Sequence, residues 1–144
     1  MSAQASICDS GAAQAALRAA RQAAQDLGLG ITVAVCDAGG HLLALHRDPH
    51  ALLASLESAQ SKARTAVYFG TETRHLPADA SITPALLAAV PQALAFLPGG
   101  IPLRTAGGDL VSAVGVGGGA PGQDQAVAEA AAVAWGAACA AGSA

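Results

Sequence analysis

The run LVSAVGV (110–116) passes directly into GGGAPGQDQ (117–125) and then into an alanine-rich stretch. Between positions 115 and 125 lie five glycines and one proline. A β-branched run that ends in bare backbone and resumes as a helix-forming segment restricts this region to a strand, a turn and a helix. It also asks what the missing side chains make room for. Gly115, Gly117 and Ala120 fit the G-x-G-x-x-G/A spacing, in which backbone N–H groups and a helix N-terminus face a pyrophosphate. That fingerprint opens a βαβ unit, with an acidic residue about 20 positions further on at the next strand. Here no strand pattern follows the helix, and no Gly-Lys-Ser/Thr follows the glycines, so a nucleotide loop is set aside.

The rest of the chain supplies the elements around this unit. Ser10 is placed to cap a helix over 11–27, where Leu17, Ala20, Ala24 and Leu27 share one side and Arg18, Arg21, Gln22 and Gln25 the other. Gly28 stands where a helix C-terminal glycine belongs. ITVAVC (31–36), the turn Asp37-Ala38-Gly39-Gly40 and HLLALH (41–46) read as a β-hairpin. A second helix is expected over 52–68, with Leu52, Leu56, Ala59, Ala63 and Ala66 in one stripe. Thr83-Pro84 opens a short helix that Pro91 ends. ALAFL (93–97) reads as a third strand, followed by IPLRTA (101–106), a Gly107-Gly108-Asp109 turn and 110–116 as a second hairpin. The last helix is expected over 121–140. The order αββα(α)βββα predicts an α+β fold, with a five-stranded antiparallel sheet flanked by helices.

With 144 residues, one domain spanning 1–144 is expected, with about 1–10 as a short tail. The chain is 53% hydrophobic but only 12% charged and 3% aromatic. Much of the apolar content is alanine, which buries little area, so close backbone approach or a covered surface is needed. Self-association into a dimer or higher oligomer follows as an expectation. A net charge of −3 without any basic run argues against nucleic acid as a partner. No apolar run is long enough to span a bilayer, and the first residues lack a secretory pattern, so a cytoplasmic protein is expected. Cys8, Cys36 and Cys139 have no metal-binding spacing and read as buried thiols in a reducing compartment, with no metal site expected.

AVCDAGGHLLALHR (34–47), SLESAQSKARTA (55–66), FLPGGIPL (96–103) and DLVSAVGVGGGAPGQDQAVAEAA (109–131), in that order, resemble the GlcG/HbpS family. These are small haem-binding or haem-degrading-like domains, found also as the C-terminal domain of PduO-type cobalamin adenosyltransferases. The resemblance covers the chain from about residue 11 to the last helix. It implies a profilin-like fold, homo-oligomers and a haem cofactor. Some PduO-type domains use a histidine near the first helix as axial ligand. This chain has no histidine before His41, leaving His41, His46, His50 and His75, and it has no CxxCH motif.

Two functional readings follow. In the first, the chain is a cytosolic homo-oligomer that binds haem or a similar planar or acidic small molecule. His46 at the strand end would approach the ligand, and Arg47 would pair with its carboxylate. His41 and His46 are expected on opposite faces of the sheet. Gly99, Gly100, Gly117 and Gly118 would form two bare loops lining a shallow pocket with N–H donors. In the second, the chain is a cofactor-independent enzyme performing proton transfer, isomerisation or hydrolysis on a small carboxylate or carbonyl compound. Lys62, Asp124 and Glu57 would then be the catalytic residues. Lys62 matches the lysine of the family's Lys-Ala block. It either holds an acidic ligand or forms a structural ion pair with Asp124, and the two are expected near each other beside Gly99-Gly100. Asp124 also suits the first turn of the last helix, where a carboxylate meets the positive end of the dipole. Glu57 also fits a solvated helix face.

Overall fold

The computed structural model describes residues 11–76 and 83–142. Ser10 and Cys8, to which a cap and a thiol were assigned above, lie outside the described residues. In chain order the elements are α1 (Ala13–Asp26), β1 (Thr32–Asp37), β2 (Leu42–Arg47), α2 (Ala54–Phe69), a 3-10 turn (Thr73–His75), α3 (Thr83–Ala89), β3 (Gly100–Arg104), β4 (Leu110–Gly117) and α4 (Pro121–Gly142). The strands form one antiparallel sheet in the order β2-β1-β4-β3.

Among the described residues the sheet has four strands, not five, and the order is αββααββα. The segment 93–97 is the difference. Its backbone groups are taken by side chains rather than by a ladder. The carbonyl of Ala93 accepts from Arg64 Nη1 at 2.7 Å, the N–H of Ala95 donates to Thr65 Oγ1 at 2.9 Å, and the carbonyl of Leu97 accepts from Thr73 Oγ1. Phe96 packs edge-on against Phe69, with ring centroids 5.6 Å apart. The apolar content of this run thus reports contact with α2, not strand pairing.

Turn chemistry fixes the connections. Gly28 has φ +69°, and the N–H groups of Leu29 and Gly28 reach the carbonyls of Ala24 (2.9 Å) and Gln25 (3.0 Å), closing α1 with a Schellman motif. In the first hairpin Asp37 Oδ1 accepts from the N–H groups of Gly39 and His41, each at 2.9 Å.

The two faces of the sheet differ in bulk. Val33, Val35, Val114, Val116, Ile101 and Leu103 point to one side, where α1 and α4 pack on them with their alanines and Trp135. Full burial of each branched side chain contributes about 1.5–3 kcal/mol. The opposite face carries the small residues Ala34, Cys36, Ala113, Gly115 and Gly117, and α2 lies on it. Gly100 pairs with Gly115 across β3 and β4. A Cβ on Gly115 would stand 2.0 Å from the Ala59 carbonyl oxygen and 2.5 Å from the Ala63 nitrogen. The glycines at the end of β4 therefore admit a helix to the sheet at backbone distance, which answers the question the sequence posed.

Candidate functional site

Lys62 and Asp124 come together from elements distant in sequence. Lys62 projects from the buried stripe of α2, and Asp124 from the first turn of α4. Lys62 Nζ lies 2.9 Å from Asp124 Oδ2 and donates to the Val116 carbonyl, also at 2.9 Å. The second carboxylate oxygen, Asp124 Oδ1, accepts from the Gly119 N–H at 2.8 Å. The two side chains are 3% and 4% exposed. The pair joins α2, the end of β4 and the start of α4 at one point. Gly99 completes it: a Cβ there would be 2.8 Å from the Val116 oxygen and 3.1 Å from Lys62 Nζ.

The remaining residues assigned to this region are crowded by the chain or lie on its surface. Glu57 is exposed on the first turn of α2, five positions from Lys62. A Cβ on Gly100 would meet the Lys62 carbonyl oxygen at 2.5 Å, one on Gly117 would meet Ser58 at 2.9 Å, and one on Gly118 would meet the Gly30 oxygen at 2.8 Å. The space these four glycines leave is filled by the chain itself, mainly by α2. It is not open to a ligand as expected from the sequence.

His46 stands elsewhere, on the wall of a groove of about 550 Å³ between α1, the end of β2 and the loop after it. Arg21, Gln25, Leu29, Ile31 and Asp48 line the same groove. Its volume is that of a small-molecule site. Partial burial and the Arg21 guanidinium hold the His46 imidazole below its ordinary pKa, against a smaller opposing effect of Asp48. The shift favours the neutral ring, the form that offers a nitrogen lone pair to a metal.

Arg47 does not share this groove. It pairs with Thr32, whose hydroxyl meets Ser55 of α2 at 2.7 Å, whereas His46 pairs with Val33 on the α1 side. Consecutive strand residues face opposite ways, so Arg47 points to the other side of the sheet. His41 lies in the turn before β2, with Nδ1 3.2 Å from Asp37 Oδ1, and a register shift separates it from the regular ladder. The cation beside His46 is Arg21, which the sequence reading placed on the polar side of α1 without a role. A signal was present: Arg18 and Arg21 stand three apart on a helix whose only acid is Asp26.

A family model described as haem degrading protein HbpS-like matches residues 9–133. The chain belongs to the HbpS-like family. This HbpS-like chain is 37% identical to HbpS, with 85% of each chain covered and a TM-score of 0.76. It is 33% identical to PduOC, solved as a haem complex, over 84% of this chain and 89% of that one, with a TM-score of 0.76. ORFY of Klebsiella pneumoniae is 26% identical, over 86% of this chain and 87% of that one, with a TM-score of 0.78. No curated protein sequence gives a match. Among the described residues of the HbpS-like chain, no helix is long and apolar enough to cross a membrane.

Proposed function

We propose that this HbpS-like chain binds haem or a similar planar acid in the groove beside His46, whose imidazole would hold the iron. One observation carries the reading: His46 and Arg21 stand together on the wall of a groove of about 550 Å³. The haem complex of the similar PduOC supports the ligand class. The residues fit such a group. Leu29 gives apolar surface over the buried Ala24 and Ile31, His46 a nitrogen ligand and Arg21 a cation for an acidic substituent. Bound haem would supply an iron that accepts the imidazole. The protein's own part is to hold that ring neutral and shield one face of a flat ligand from water.

The Lys62–Asp124 pair takes a structural part in this reading. Its polar atoms are satisfied from within the chain, and burial of both side chains leaves little surface for a substrate. A cytosolic setting and self-association complete the proposal. Leu42, Leu43, Leu52, Leu53 and Val133 are exposed and would be covered in an oligomer. Light scattering at micromolar concentration tests the association, and a strict monomer refutes it.

Titration with hemin, followed by absorbance, tests the function. A shifted Soret band is expected, reduced in His46→Ala. An unchanged band in the variant removes His46 as ligand, and no band in the wild type overturns the reading.

A further inference from the structure

The chain has seven Lys and Arg residues in total. Four are engaged internally: Lys62 with Asp124, Arg64 with the Ala93 carbonyl, Arg74 with Glu72, and Arg104 with the Gly70 and Gly108 carbonyls. Among the ion pairs of the described residues, none involves Arg18 or Arg21. Both are exposed on α1, three positions apart and so on one side of the helix.

The grooves around them are contiguous. The groove of about 550 Å³ includes Arg21 and His46. A second, of about 350 Å³ between α1 and β2, includes Arg18, Arg21 and His46. A third, of about 190 Å³ along α1, again includes both arginines. The nearby acids are hydrogen-bonded elsewhere and form no ion pair with them among the described residues. Asp48, which lines the first groove, accepts the His50 N–H at 2.8 Å, and Asp26 accepts Gln22 Nε2 at 2.9 Å. Asp48 repels an acidic substituent from its end of the groove, and the two guanidinium groups attract one to theirs.

We infer that Arg18 and Arg21 form a two-point clamp for a planar ligand with two carboxylates. The groove then selects a tetrapyrrole-type diacid by its acid edge, independently of any metal. This rests on the reading of the groove as a haem-related site. A guanidinium forks onto a carboxylate through two N–H groups. One such contact in water is weak. Two on a rigid ligand reinforce each other, because the second forms within an already bound complex. A diacid therefore gains far more than a monoacid or an ester.

Three probes test this in one buffer: iron-free protoporphyrin IX, its dimethyl ester, and hemin, with porphyrin fluorescence or absorbance as readout. The free diacid should bind about tenfold or more tightly than the ester. Added salt should weaken the diacid and leave the ester unchanged. The double variant Arg18→Gln/Arg21→Gln should bind acid and ester alike, while Arg18→Lys/Arg21→Lys retains a preference. Melting curves confirm that each variant is folded, as expected for exposed side chains. Equal affinity of the wild type for diacid and ester, or an undiminished preference in the double Gln variant, overturns the clamp and leaves the haem-related reading standing. Failure of all three probes to bind overturns both.

Discussion

Gly100 and Gly115 face each other across β3 and β4, and a methyl group on either would collide with the backbone of α2. The Lys62 carbonyl oxygen lies 2.5 Å from the Cβ position of Gly100, and the Ala59 carbonyl oxygen 2.0 Å from that of Gly115. Backbone cannot swing aside as a side-chain tip can. Gly115→Ala should therefore destabilise the protein by about 1–3 kcal/mol, the range for forced overpacking, and Gly115→Val by more. Gly136 is the control, an exposed position in α4 with nothing within 4 Å of its Cβ. Gly136→Ala should stabilise by about 0.5–1 kcal/mol, since alanine is the better helix former. Urea unfolding of both variants measures the contrast, and a neutral Gly115→Ala contradicts the close approach of α2.

Removal of one partner from the buried Lys62–Asp124 pair leaves the other charge without compensation. Lys62→Met or Asp124→Leu alone should cost about 3–5 kcal/mol, and the double variant should recover part of that loss. A double-mutant cycle by chemical denaturation reads the coupling. Additive single effects would show that the pair is not coupled.

His46 makes stability depend on pH. Burial and Arg21 depress its pKa in the folded chain, so the unfolded state binds the proton more readily. Stability must then rise as pH increases up to the unfolded value of about 6.5, and level off above it. His46→Gln should flatten that rise. Melting temperatures between pH 5 and 8 (about the range over which histidine titrates) test this, and an unaltered profile in the variant excludes His46 as the source.

Asp37 acts at lower pH. Burial alone would raise its pKa, but the N–H groups of His41 and Gly39 and the His41 ring outweigh it and hold the carboxylate below its usual value. A carboxylate with a depressed folded pKa contributes stability above the unfolded value of about 3.9, and loses it as pH falls through the folded one. Asp37→Asn should lessen the acid sensitivity below pH of about 4. It should also lower stability modestly at neutral pH, as urea titrations at both pH values will show.

Cys36 should resist thiol reagents while the chain is folded. Burial, then the neighbouring Asp37 carboxylate, pushes its thiol pKa up to about 12, so almost no thiolate exists at pH 8. Mass mapping after brief alkylation should find Cys36 unmodified in the native protein and modified in urea. Rapid native labelling would contradict the burial.

Periodicity and turn chemistry were legible because they are local. The hairpins at Asp37–Gly40 and Gly107–Asp109, the Gly28 helix end and the helices on either side of the sheet all follow from neighbouring residues. ALAFL (93–97) was not legible as a loop, because its composition matches a strand. What excludes it from the sheet is the set of hydrogen bonds from Arg64, Thr65 and Thr73, residues far away in sequence. The position of Lys62 beside Asp124 was readable from two charges isolated among alanines and glycines. The groove beside His46 was only half readable. Strand alternation sends Arg47 away from it, and the cation that replaces Arg47 comes from Arg21, on a helix 26 residues earlier.

The contact between α2 and the small-residue face of the sheet constrains how such a chain can change through descent. On the α1 and α4 side, a valine can become an isoleucine and a neighbouring side chain can shrink to suit. Where α2 crosses Gly100 and Gly115 no side chain is left to trade. A lineage that acquires bulk at position 115 must first lift the whole helix, and with it the Lys62 ammonium from the Asp124 carboxylate. Variation should therefore collect on one side of the sheet and be nearly silent on the other.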